Sequence, residues 1–326
     1  MDLLKRLTDV DSPSGNESAV CNIISEEAKR LGYDVSTDGL GSVIAHKSGA
    51  GKKLMIAAHT DEIGVIVNYI DDNGFIRFGA VGGLYKKELQ KRRVRFKNGV
   101  IGIIAAEEDE FEKTPELHKL YIDIGASSRR EAETMVSVGD TAVFCGPFSL
   151  QGNTVISKAL DDRVGCYILL KTMARVRDSK NDLYFVFTSQ EEVGIRGAKT
   201  SAFTIMPEFA IAVDVTDTGD TPDAKKSDVR LGGGAAIKAM DRSVMCDRGI
   251  VKTLKELASA NNIPYTTEIM NDGGTDAGAI ALTGGGVRTG GISVPVRYIH
   301  SPSELACVSD IEACVDLLER ACGYEW

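Results

Sequence analysis

The sequence predicts an α/β protein: a doubly wound, mostly parallel sheet carrying an inserted small β-rich domain. Three observations lead there. Apolar runs without polar alternation, such as residues 183–187 (LYFVF), alternate with segments of helical periodicity. From about Val65 to Thr154 the texture changes to short, closely spaced strand patterns. At 326 residues the chain also exceeds the usual single-core size, so a second domain or a large insertion is expected.

After a short opening helix, the loop DSPSGNE leads to Val20, Ile23, Ile24, Ala28 and Leu31 at helical spacing, closed by Gly32. A short strand near residues 42–46 precedes a buried strand over 54–58 that runs into His59 and Asp61. The β-rich stretch then reads VIVNYI, the turn DDNG, FIRFGAV, RRVRF, GVIGIIA, LYIDIGA and TAVFCGPF. One helix interrupts it, with Ser128 and Glu131 at capping-box spacing. The α/β pattern resumes after SKALDDR with a helix carrying Val164, Ile168, Leu169 and Met173. A strand runs toward Glu191, another (FAIAVDV) ends at Asp214, and helices follow over 250–260 and 311–322, the latter with Ser309 and Glu312 at capping-box spacing. The expected division is therefore 1–65 with 155–326 as one domain, and 66–154 as the insertion.

Lys plus Arg is 38 against 47 for Asp plus Glu, a net charge of -9, which disfavours nucleic acid or an anionic membrane as the main partner. Seven cysteines, Cys21, Cys145, Cys166, Cys246, Cys307, Cys314 and Cys322, are odd in number and lack C-x-x-C spacing. They read as reduced thiols in a cytoplasmic protein. No leader-like apolar core is expected at the N-terminus, and no stretch approaches eighteen consecutive apolar residues.

His59, Glu191, Glu192 and Asp214 all fall where predicted buried strands end, the side on which open α/β sheets place ligands. Asp161 in ALDDR and His300 in YIHSPSE join them from loops. Imidazoles and carboxylates without thiolates suit zinc, cobalt or manganese, and fit a two-metal site better than a closed structural zinc. Of the adjacent glutamates on extended chain, one can bind metal while the other reaches the water it holds. Asp61, two residues after His59, can hold that imidazole in the metal-binding tautomer. His46 and His118 read as surface residues.

At this point the chain resembles the M42 metallo-aminopeptidases, which include glutamyl and tetrahedral aminopeptidases. The likeness runs nearly end to end, through PSGNE, AHTDEIG, YIDIGASSRREAE, KALDDRVGC, TSQEEVGIRGAK, AVDVTDTGDTPD, GGTDAGAI and IHSPSE. It implies that Asp161 bridges two divalent ions, with His59 and Asp214 completing one site and Glu192 and His300 the other. Glu191 is then the general base, with Asp61 beside it in the catalytic set. The resemblance also implies a PDZ-like insertion that takes part in subunit contacts, homo-oligomers as dimers or tetrahedral dodecamers, and a cis Asp161–Asp162 peptide bond.

The leading function is removal of N-terminal residues from peptides, with zinc or cobalt as the expected metal. A carboxypeptidase or small-amide deacylase could use the same chemistry. Glycoside hydrolysis fits less well, because its two acids must flank the scissile bond about 5 to 9.5 Å apart. A non-catalytic scaffold would have lost at least one of the site residues, and none is lost. The basic run Lys86, Lys87, Lys91, Arg92, Arg93, Arg95 and Lys97, and the acidic run Glu107, Glu108, Asp109 and Glu110, read as solvated faces or inter-subunit salt links. The glycine-rich stretches lack a strand–P-loop–helix context and read as turns.

Overall fold

The structure, a computed structural model, describes residues 1–107, 114–224 and 226–326. It opens with α1 (Asp2–Asp9), α2 (Ser18–Arg30), β1 (Asp34–Thr37), β2 (Val43–Lys47) and β3 (Lys53–His59). Then come β4 (Gly64–Ile70), β5 (Ile76–Val81), β6 (Arg93–Phe96), β7 (Ile101–Ala106), β8 (Leu120–Asp123), the short α3 (Arg129–Glu133) and β9 (Thr141–Phe144). β10 (Ser149–Gln151), β11 (Thr154–Ser157), α4 (Leu160–Arg175), β12 (Asp182–Thr188), α5 (Arg196–Ile205) and β13 (Phe209–Asp217) follow. The chain closes with β14 (Ala235–Met240), α6 (Arg248–Ala260), β15 (Tyr265–Ile269), α7 (Asp276–Ala281), β16 (Arg288–Arg297), β17 (Glu304–Cys307) and α8 (Val308–Gly323).

This is a mixed α/β fold. The large sheet runs β1-β2-β12-β3-β13-β16-β17-β11-β10, with β14 on β16 and β15 on β14. Its centre, β12-β3-β13-β16, is parallel, as the apolar runs led one to expect. The flanks are antiparallel: β2 against β12, and β17 against β16 and β11. Apolar side chains on the two sides of the sheet belong to separate cores. One gathers Leu54, Ile56, Phe185 and Phe187 with α1, α2, α4 and α8, and the other gathers Met55, Ala57 and Val186 with α5 and α7. Phe185 and Phe187 are fully buried, each contributing about 1.5–3 kcal/mol by area removed from water.

Between β3 and β10 the chain closes a six-stranded barrel, β4-β5-β8-β7-β6-β9. Val65, Phe78, Val94, Phe96, Ile104 and Ile122 fill it. Strict alternation explains why: Gly102 and Ile104 of β7 point in while Ile101 and Ile103 point out. Arg95 of β6 ties the barrel to the N-terminal loop through two bonds to the Asp11 carboxylate, at 2.6 and 2.8 Å.

Several local expectations change. Ser128 does cap α3, accepting the Glu131 N–H at 3.3 Å. Ser309 does not cap α8: the cap residue is Cys307, and the Ser309 N–H goes to Asn153 Oδ1 at 3.2 Å. Lys86 and Arg95 of the basic run pair within the chain, with Glu116 and Asp11. Glu107 pairs with Arg77 and Lys119; the rest of that acidic run lies outside the described residues. All seven cysteines are free. Among the described residues no helix is long and apolar enough to cross a membrane.

Candidate metal centre

Parallel pairing puts His59, the last residue of β3, beside Thr188, the last of β12. Asp214 lies within β13, which runs three residues further than the sequence pattern suggested. His300 occupies the β16–β17 connection with a left-handed φ of 61°. Asp161 opens α4, where it and Asp162 have non-helical dihedrals, and the peptide bond between them is cis. Glu191 and Glu192 are not on extended chain: Gln190 turns left-handed (φ 55°) and Glu192 begins a turn.

The Asp161 carboxylate sits between two imidazoles. Its Oδ1 is 3.0 Å from His59 Nε2, and its Oδ2 is 3.3 Å from His300 Nε2, which is also 3.3 Å from Glu192 Oε1. Two sets of donor atoms result, His59–Asp161–Asp214 and Asp161–Glu192–His300, each within 4.8 Å. Glu191 belongs to neither set but borders the same cavity. Asp61 Oδ1 lies 3.4 Å from His59 Nδ1 and accepts the Glu191 N–H at 2.9 Å, while its Oδ2 accepts the Glu192 N–H at 3.1 Å. The structure thus gathers every residue singled out from the sequence.

Further residues hold this group in place. Asp162 accepts the His59 N–H at 3.0 Å and the Gly165 N–H at 3.0 Å. Arg163, fully buried, donates to Thr60 O at 2.7 Å and Glu62 at 3.2 Å, and Lys158 also grips Glu62. Gly82, at φ 80°, and Gly83 bring the barrel against Glu192 and His300: a Cβ would stand 2.9 Å from Glu192 Oε2 at the first and 3.0 Å from His300 Nδ1 at the second. No sequence pattern marks these contacts.

Charge explains what the group is built to hold. Burial pushes the Asp162, Asp214, Glu191 and Glu192 carboxyls up, and neighbouring carboxylates reinforce the push. Burial lifts Asp276, which accepts a hydrogen bond from Thr188 at 2.6 Å, to about 6. Burial alone would lower His300, but the Asp161 and Glu192 carboxylates push it up to about 12; His59 is raised likewise by Asp161 and Asp61. So much confined negative charge calls for cations, and an all-oxygen-and-imidazole donor set fits divalent zinc, cobalt or manganese. Cys166, the nearby thiol, is no ligand, since its Sγ donates to His59 O.

The cavity over this group measures about 790 Å³. Tyr85, Lys226, Glu268 and Met270 share its wall with Gly273 and Gly274 of the GGTDAG stretch. A shallow groove of about 870 Å³ beside α6 is lined by Arg248, Lys252, Lys255 and Glu256, and no metal-ligating cluster among the described residues reaches it.

Residues 41–317 match the family model for M42 glutamyl aminopeptidase. The chain belongs to the M42 peptidase family. It is 54% identical over 321 residues to a protein of Acetivibrio thermocellus, covering 98% of this chain and 97% of that one. An aminopeptidase from the archaeon Desulfurococcus kamchatkensis superposes with a TM-score of 0.95 at 39% identity, over 99% of this chain and 94% of that one. The TET1 peptidase of Pyrococcus horikoshii, which can assemble into a tetrahedron or a large octahedral shell, matches at a TM-score of 0.89 and 32% identity, over 98% of both chains. M42 peptidases use divalent metals, and the donor set described above fits one.

Proposed function

We infer that this M42 aminopeptidase removes N-terminal residues from peptides at a two-metal centre: His59, Asp214 and Asp161 hold one ion, and Asp161, Glu192 and His300 the other. The observation that carries this reading is the Asp161 carboxylate, which turns one oxygen toward each imidazole, the arrangement a bridging ligand requires. Two divalent cations, zinc or cobalt, would supply a polarised peptide carbonyl and an acidified water when bound.

The chain's own residues supply the rest. Glu191 takes the water's proton and returns it to the leaving amine. Burial, reinforced by Asp214, Asp276 and Glu192, pushes its carboxyl well above the usual range, and bound cations would draw it back so that it can accept the proton. Asp61 orients the His59 ring at Nδ1 through its main-chain O at 3.2 Å and its Oδ1 at 3.4 Å, leaving Nε2 for a metal, and its carboxylate fixes the turn that separates Glu191 from Glu192.

In this reading the core is doubly wound, with 1–65 and 155–326 as the catalytic domain. Residues 66–154 form a PDZ-like domain for homo-oligomer contacts, in a dimer or tetrahedral dodecamer. Outward-facing Tyr69, Ile101 and Ile103 on the barrel support that role. A cytoplasmic location accords with the free thiols.

The test is a panel of aminoacyl chromogenic substrates and unblocked, N-acetylated and C-amidated peptides, assayed with chelated protein before and after zinc or cobalt is restored. Metal-dependent release from free N-termini is expected, with no sugar released from glucan. Cleavage from C-termini, or of N-acetylated peptides at equal rates, would contradict it.

A further inference from the structure

We propose that Glu304 is a positioning residue of the metal centre, a buried carboxylate that sets the spacing between the Asp161 and His300 main chains. Its Oε2 accepts the Asp161 N–H at 3.0 Å, and its Oε1 accepts the His300 N–H at 2.9 Å. The side chain is fully enclosed, at 2% exposure, and stands at the start of β17, opposite Ser157 of β11. From there one carboxylate reaches both of the loops whose side chains meet at 3.3 Å.

Neither loop is held by regular structure at that point. His300 sits in the left-handed region, uncommon for a residue with a Cβ, so its surroundings must hold it there. Asp161 lies at the head of α4 with non-helical dihedrals, outside the helical hydrogen-bond ladder. Two converging N–H donors require an acceptor at each oxygen, and one carboxyl group spans both. Glutamine fits the same space but presents one oxygen and one NH2, leaving one backbone donor facing another donor. Aspartate keeps both oxygens but is one methylene short of spanning both amides. Serving as a bridge, rather than filling space, is thus what the residue's chemistry provides.

This inference rests on the reading of Asp161 and His300 as metal ligands, and the test separates the two. Parent, Glu304→Gln and Glu304→Asp proteins are loaded with zinc and cobalt, and three quantities are measured: ions per chain, zinc affinity by chelator competition, and the visible spectrum of the cobalt form. The parent is expected to take two ions. Both variants should bind at least one of them about 10- to 100-fold more weakly, the range for disturbed support of a ligand, with a shifted cobalt spectrum while far-ultraviolet circular dichroism stays parental. A parent that takes fewer than two ions overturns the two-metal reading itself. A parent with two ions, and either variant with parental affinity and spectrum, overturns the role of Glu304 even if that variant melts earlier.

Discussion

Asp61 receives the backbone N–H of Glu191 on its Oδ1 at 2.9 Å, and the same oxygen faces His59 Nδ1 at 3.4 Å. Burial pushes its carboxyl up, but His59, the Ser14 hydroxyl at 2.6 Å and the Glu191 amide hold it ionised below the ordinary range. One residue therefore orients both a proposed ligand, with its main-chain O also 3.2 Å from His59 Nδ1, and the proposed base. Asp61→Asn keeps the shape but exchanges one acceptor for a donor, leaving a mismatched contact. Metal affinity is expected to fall about 10- to 100-fold, with kcat reduced; chelator competition and steady-state kinetics check it.

Glu191→Gln should retain both ions and lose kcat by about 10²- to 10⁴-fold, since an amide cannot accept the water's proton. Glu192→Gln should instead lose metal. Metal analysis beside turnover decides between them, and the opposite pattern would reverse the two roles.

Gly82→Ala is expected to disturb the centre from the barrel side. The new Cβ would meet Ile63 at 2.8 Å and Glu192 Oε2 at 2.9 Å, at a φ of 80°. Left-handed backbone costs a Cβ-bearing residue about 1–2 kcal/mol, so thermal unfolding of metal-free protein should report at least that loss. Affinity for the ion at Glu192 and His300 should weaken too.

Where the sequence was informative, the reason is physical. His59 and Asp214 were legible because long apolar runs mark central parallel strands, whose carboxyl ends collect ligands. Glu191 and Glu192 came into view at the end of another such run, whereas Asp161, at the head of α4, and His300, in the β16–β17 connection, have no apolar run leading into them and stood out only through ALDDR and YIHSPSE. Asp162 and Glu304 were harder still: each ties a nearby amide to one 103 or 143 residues away, and any residue type can offer an amide. The six-residue α7, with Gly278 inside it, carries too weak a propensity to stand out. The antiparallel β2–β12 pairing is a tertiary choice that apolar patterning does not specify.

The tie between barrel and core is expected to weaken in acid. Burial lifts the Asp11 carboxyl, but Arg95 and Lys158 outweigh this and hold it below its ordinary value of 3.8. A depressed carboxylate contributes stability above its unfolded value and loses it as pH falls through its folded value. The pair is partly exposed, so Asp11→Asn should cost about 1 kcal/mol at neutral pH. Thermal unfolding of parent and variant should show this gap narrowing below about pH 4, and a gap that widens in acid would contradict the assignment.

Anomalous diffraction from crystals of the zinc-loaded protein tests the central claim most directly. Two peaks per chain are predicted, about 3.5 to 4 Å apart: one against His59 and Asp214, the other against Glu192 and His300, with Asp161 touching both and Glu191 coordinating neither. A single peak, or a Glu191 oxygen bound to a metal in place of Glu192, would contradict the account.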